Sequence, residues 1–151
     1  MMIENEMATS DVVLTLAADA DEDARRLISD RLDAFNVEET GIADNQPLDV
    51  LVSDPVSGQC LGGLVGRTSL GVLFVNYVYL PESLRGQGLG GGRLLAIAES
   101  EACRRGCREA LLFTMEIQAP GFYLKQGYRE FGRIECQPAG NARVFLRKTL
   151  I

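Results

Sequence analysis

The run Arg85-Gly86-Gln87-Gly88-Leu89-Gly90 stands between an apolar stretch, residues 73–80, and a segment of helical periodicity that begins near Gly91. Glycines at such a place let the backbone turn sharply and approach a ligand with no Cβ in the way. The first amides of the following helix have no intrahelical partner and lie at the positive end of the helix dipole, so an anion, above all a phosphate, fits beyond them. Further on, Phe122-Tyr123 precede Gly127-Tyr128. A phenol with a pKa of about 10 stays protonated near neutral pH and can serve as a proton donor. Gly86, Gly88 and Gly91 also spell G-x-G-x-x-G, the fingerprint of a nucleotide-binding oxidoreductase. That pattern needs several βαβ units after the loop, and this loop falls past the middle of the chain.

The elements that must position these residues are legible from periodicity. Residues 11–17 alternate and are β-branched enough for a strand, and Asp19 to Asp23 supply a cap and an acidic first turn for a helix with Leu27, Ile28, Leu32 and Phe35 as its stripe. That helix is expected to fade around 38–41. Residues 48–54, 60–67 and 72–80 read as three strands joined in antiparallel hairpins, the middle one weakened by Gly62, Gly63 and Gly66. A helix over 91–106 places Leu94, Leu95, Ala98 and Ala102 on one face, followed by a buried strand 109–115, a short helix 119–126 and closing strands 128–135 and 142–148.

Leu80 to Gly90 resembles the acetyl-CoA pyrophosphate loop of the GNAT superfamily of N-acetyltransferases: Arg85, Gly88 and Gly90 fill its R/Q-x-x-G-x-G/A pattern. Ala119 to Tyr128 is similar to the A-x-x-F-Y-x-x-x-G-F/Y segment of the same superfamily. The resemblance implies the α/β GNAT fold, a mixed, mostly antiparallel central sheet flanked by helices in the order β-α-β-β-β-α-β-α-β-β, with acetyl-CoA as co-substrate. It implies that the strand before the loop is bulged and splays from the next one, and that the pantetheine arm lies in the gap, bonded to backbone at Val78 and Leu80. Arg85, Gly86, Gln87, Gly88, Leu89 and Gly90 would hold the pyrophosphate, with Arg85 also shaping the loop. Tyr123 would protonate the leaving thiolate, and a backbone N–H near Val78 or Tyr79 would polarise the thioester carbonyl.

The amine must also lose a proton, which costs an alkylamine of pKa about 10.4 roughly 4.6 kcal/mol at pH 7. Many members of the superfamily it resembles use a carboxylate on the central strands, or water reached through one. This chain has no acid between Asp54 and Glu82 and no histidine, and Asn76 stands where a strand acid might have been. Glu116, just after strand 109–115, is the candidate base, with Glu38, Glu39 and water as alternatives. Glu116 also takes the position where many relatives carry an Asn bonded to the pantetheine arm.

At 151 residues, 46% hydrophobic and 24% charged, the composition is that of one soluble globular domain, 11–151, with 1–10 as a flexible lead-in. No apolar stretch is long enough to cross a membrane, and the N-terminus lacks the pattern of a signal, so a cytoplasmic location is expected. Four cysteines without any histidine form no metal spacing. Residues 1–54 hold fourteen acids against three arginines and residues 55–151 seven acids against twelve bases. A basic half suits an anionic cofactor, an acidic half a small cationic amine acceptor, and the net charge of −6 disfavours nucleic acid. The leading expectation is acetyl transfer from acetyl-CoA to such an amine in a ternary complex. A non-catalytic acyl-CoA-binding or sensor domain of the same fold is the alternative. Oligomeric state stays open, a homodimer included.

Overall fold

Leu48, Val50 and Val52 alternate with exposed neighbours along a strand that pairs with the next through a tight turn, and this hairpin starts a six-stranded sheet. The computed structural model describes residues 11–85, 91–118 and 120–151, and the chain divides into two units, Met1–Ala43 and Asp44–Ile151.

In the first unit, α1 (Glu22–Thr40) begins where the Asp21 carboxylate accepts the Ala24 N–H at 2.7 Å and ends at Gly41, whose left-handed φ of 73° lets its N–H reach the Val37 carbonyl. The helix runs on to Thr40 and none of its residues is buried. The strand expected over residues 11–17 is not formed: residues 12–17 are irregular and exposed. A strand persists only beside another that takes up its backbone N–H and C=O groups, and all six paired strands belong to the second unit. Among the described residues the order therefore starts with a helix, α-β-β-β-α-β-α-β-β. The lead-in expected over Met1–Ser10 lies outside the described residues.

The second unit holds β1 (Gln46–Ser53), β2 (Cys60–Ser69), β3 (Val72–Tyr79), α2 (Gly91–Arg104), β4 (Glu109–Met115), α3 (Gly121–Lys125), β5 (Arg129–Cys136) and β6 (Asn141–Thr149). Their order in the sheet is β1-β2-β3-β4-β6-β5, antiparallel except for the parallel pair β3–β4 that the α2 crossover joins. Each strand expected between 48 and 148 is present, with ends displaced by no more than two residues.

Leu94, Leu95, Ala98 and Ala102 of α2 are all buried, in one cluster with Leu48, Leu64, Leu73, Val75, Ala110, Leu112, Val144 and Leu146 from one face of the sheet. The glycines of β2 weaken its propensity but are required by its neighbours. A Cβ on Gly63, which has φ 150°, would meet the Val50 carbonyl oxygen of β1, and one on Gly66 would stand 2.5 Å from the Phe74 oxygen of β3.

Candidate active site

The pairing between β3 and β4 stops halfway. Val72 to Val75 are in register with Glu109 to Leu112, and beyond them no further pair joins the two strands among the described residues. Each strand keeps its other neighbour: β3 stays on β2 as far as Gly63↔Tyr79, and β4 stays on β6 as far as Met115↔Arg143. The break follows a bulge, because Val65 pairs with Tyr77 while Gly66 pairs with Val75, leaving Asn76 as the extra residue. A bulge sharpens the local twist, which turns the end of β3 away from β4. The result is a slit bordered by residues 76–80 on one side and 113–115 on the other, where an extended ligand carrying amides can bond both edges as a missing strand would. Val78 is half-buried beside the core and Leu80 is buried at the end of this edge.

Past Leu80 the chain makes a single 3-10 turn, Glu82–Leu84, and Arg85 folds back over it. The Arg85 Nε–H donates to the Leu80 carbonyl at 2.8 Å and its guanidinium lies 6.0 Å from the centre of the Tyr79 ring. Arg85 thus fastens the start of the loop to the strand. Gly86, Gln87, Gly88, Leu89 and Gly90, the expected pyrophosphate contacts, lie outside the described residues. From Gly91 the chain is helical, and α3 rests on the first turn of α2: a Cβ on Gly91 would stand 2.8 Å from the Phe122 ring, and one on Gly92 would touch the Gln126 side chain.

This contact brings Tyr123 to the same end of the sheet as the loop. Its ring packs edge-on against Phe122 at 5.1 Å and Tyr128 at 6.1 Å between centroids. Burial raises its phenol above the usual value, and no hydrogen bond to its hydroxyl is made among the described residues. A phenol in that state stays protonated across the neutral range and keeps its O–H available. The sequence reading missed the support beneath it. Tyr128, 3% exposed, donates its O–H to Glu99 Oε2 at 2.9 Å, and Lys148 Nζ donates to Glu99 Oε1 at 2.8 Å. A glutamate on α2 one turn after Leu95 is the only hint the sequence holds, and it reads equally well as a solvated acid.

Glu116 opens the 3-10 turn that follows β4. Gln118 closes this turn by accepting from Thr114 Oγ1 at 3.0 Å and the Met115 N–H at 3.1 Å, while the buried Asn141 accepts the Ile117 N–H. The Glu116 carboxylate accepts from Arg133 at 2.9 Å, and the same guanidinium donates to Glu130 at 2.9 Å. Both pairs are well exposed, so they contribute little to stability. Glu116 and Tyr123 therefore both follow the splayed end of β4, whereas Glu38 and Glu39 belong to α1 in the other unit. Asn76 is exposed at the bulge. Among the described residues, no three His, Cys, Asp or Glu side chains gather into a metal-binding group, and no helix is long and apolar enough to cross a membrane.

Known proteins are similar in sequence and fold. Acetyltransferase Atu2258 of Agrobacterium fabrum is 36% identical over 129 residues, which cover 85% of this chain and 93% of that protein. The chain belongs to the GNAT superfamily of acetyltransferases. Blasticidin-S acetyltransferase of Streptomyces morookaense is 36% identical over 114 residues, covering 74% of this chain and 83% of the relative. A solved chain from Agrobacterium tumefaciens, assigned as an acetyltransferase, superposes with a TM-score of 0.83 at 34% identity over 91% of this chain and 99% of its own. No protein-family model matches. The acetyltransferase thus has its family's fold, a β3 bulged against β2 and parted from β4, and a tyrosine packed against Phe122, which rests on the helix that follows the glycine loop.

Proposed function

We propose that this acetyltransferase moves the acetyl group of acetyl-CoA to a primary amine of a small, cationic acceptor by direct attack within a ternary complex. The observation that carries this reading is the parting of β3 from β4 after Val75 and Leu112, which offers an extended thioester arm two strand edges. That slit leads toward the helix start where an anion is favoured. A relative at 36% identity named for blasticidin S supports a small-molecule acceptor.

In the proposed reaction the neutral amine nitrogen attacks the thioester carbonyl carbon. A C–N bond forms, negative charge develops on the carbonyl oxygen, and a backbone N–H near Val78 or Tyr79 stabilises it. The C–S bond then breaks, the thiolate takes the Tyr123 proton, and Tyr123 recovers a proton from solvent. The proton lost by the amine goes to Glu116 or to water. Arg85 and residues 86–90 hold the pyrophosphate, and Val78 and Leu80 hold the pantetheine arm through their backbone.

Acetyl-CoA at 100 times its dissociation constant should add about 2.7 kcal/mol to the folded state, enough to raise the melting temperature by several degrees in a chain of this size. NAD, the ligand of the rival glycine fingerprint, should give no shift. A shift with NAD and none with acetyl-CoA would overturn the cofactor assignment. Release of free thiol from acetyl-CoA across a panel of amines, blasticidin S among them, then tests the acceptor class. Transfer only to neutral or anionic acceptors contradicts the cationic reading.

A further inference from the structure

The helix that carries Tyr123 cannot hold it in place unaided. It has five residues, and Pro120 at its start provides no side-chain bond to the first turn. Helices this short depend on their surroundings. Tyr123 is held by Tyr128, whose backbone N–H donates to the Tyr123 carbonyl at 3.0 Å and whose ring meets the Tyr123 ring edge-on. The position of Tyr128 is set in turn by its hydroxyl on Glu99, and that of Glu99 by Lys148, whose Nζ also lies 5.6 Å from the centre of the Tyr128 ring. The Glu99 and Lys148 side chains are 13% and 26% exposed.

We propose that Glu99 is a positioning residue for the leaving-group proton donor, acting through the Tyr128 hydroxyl. The inference rests on the proposed role of Tyr123. Packing alone does not call for this arrangement: Phe at 128 would fill the same space, and a largely buried ion pair gains little over apolar residues of similar volume. What the carboxylate adds is direction. Glu99 lies on α2, the helix whose first residue follows the glycine loop, and it also receives β6 through Lys148. One rigid helix thereby borders the proposed pyrophosphate site at one end and fixes the support of Tyr123 two turns later. Proton transfer to sulfur tolerates displacements of only about half an ångström, so the hydroxyl bond acts on the chemical step.

A double-mutant cycle tests this, with thiol release measured at saturating acetyl-CoA and a saturating concentration of the acceptor in the amine panel that gives the fastest release. Tyr128→Phe should lower kcat about fivefold to twentyfold and leave the KM for acetyl-CoA within about twofold. In a Tyr123→Phe background the same substitution should cost less than about twofold, because the group it positions is gone. Equal costs in both backgrounds, or a raised KM with unchanged kcat, would make Tyr128 and Glu99 packing residues and leave the role of Tyr123 standing. If Tyr123→Phe by itself does not slow thiol release, the role of Tyr123 fails and this inference with it. Should Tyr128→Phe loosen the fold, two charge-free pairs decide the matter. Glu99→Gln with Lys148→Gln keeps an acceptor for the phenol and should retain kcat within about threefold, whereas Glu99→Leu with Lys148→Met removes it and should lose as much as Tyr128→Phe. Equal kcat in the two pairs overturns the proposal.

Discussion

Tyr123→Phe is expected to lower turnover about tenfold to a thousandfold while acetyl-CoA affinity stays within a few fold. The substitution keeps the ring that packs on Phe122 and Tyr128 and removes one oxygen, so cofactor binding and folding lose little. The proposed step loses its proton donor. Burial raises the phenol, so the hydroxyl stays protonated at every pH where the enzyme would be assayed, and its ionisation should put no downward limb on the rate below about pH 10. Steady-state kinetics at saturating acetyl-CoA and amine, with melting temperature measured alongside, checks this. Unchanged turnover in a normally folded variant would reduce Tyr123 to a packing residue.

Glu116→Gln is expected to remove about tenfold to a hundredfold of kcat/KM for the amine at pH 7 and to regain part of it at pH 9 to 10. The sign follows from the acceptor, which arrives as an ammonium at neutral pH and increasingly as the free amine as the pH rises. A lost base then matters less. Arg133 supplies the control, since it occupies the Glu116 carboxylate at 2.9 Å. If the pair only holds the turn, Arg133→Gln and Glu116→Gln should behave alike. If Glu116 takes the proton, Arg133→Gln leaves the carboxylate in place and spares the rate. A pH–rate profile unmoved by Glu116→Gln would pass the role to water, or to Glu38 or Glu39.

The strands between 46 and 149 were legible because their apolar residues recur at the period the sheet buries, and α2 was legible from Leu94, Leu95, Ala98 and Ala102, all of which reach the core. Residues 11–17 have the same alternation and form no strand, since alternation describes a residue's own preference and says nothing of whether a neighbour exists to pair with it. The site divides in the same way. Gly88, Gly90 and Tyr123 stand in motifs, so residue type and spacing sufficed to propose them as site residues, of which Gly88 and Gly90 lie outside the described residues. The bulge at Asn76 leaves no trace in side-chain type because it is a matter of register. The Tyr128–Glu99–Lys148 chain joins residues 29 and 49 positions apart, and nothing local announces such a contact. The Glu116–Arg133 pair was hidden for the same reason.

The halted pairing of β3 and β4 also bears on how such a protein can diverge. On the proposed reading the slot is bound through main-chain groups and asks little of the side chains along it, so the exposed Asn76 and Tyr77 would be exchangeable during descent with small cost to cofactor capture. Lineages would then be free to refit the acceptor side while the donor side persists. An inhibitor that bonds only these strand edges would exploit the same property in reverse: point mutation alters side chains, and it has few ways to remove a peptide N–H or C=O, so resistance would have to come through proline or a shift of the bulge itself.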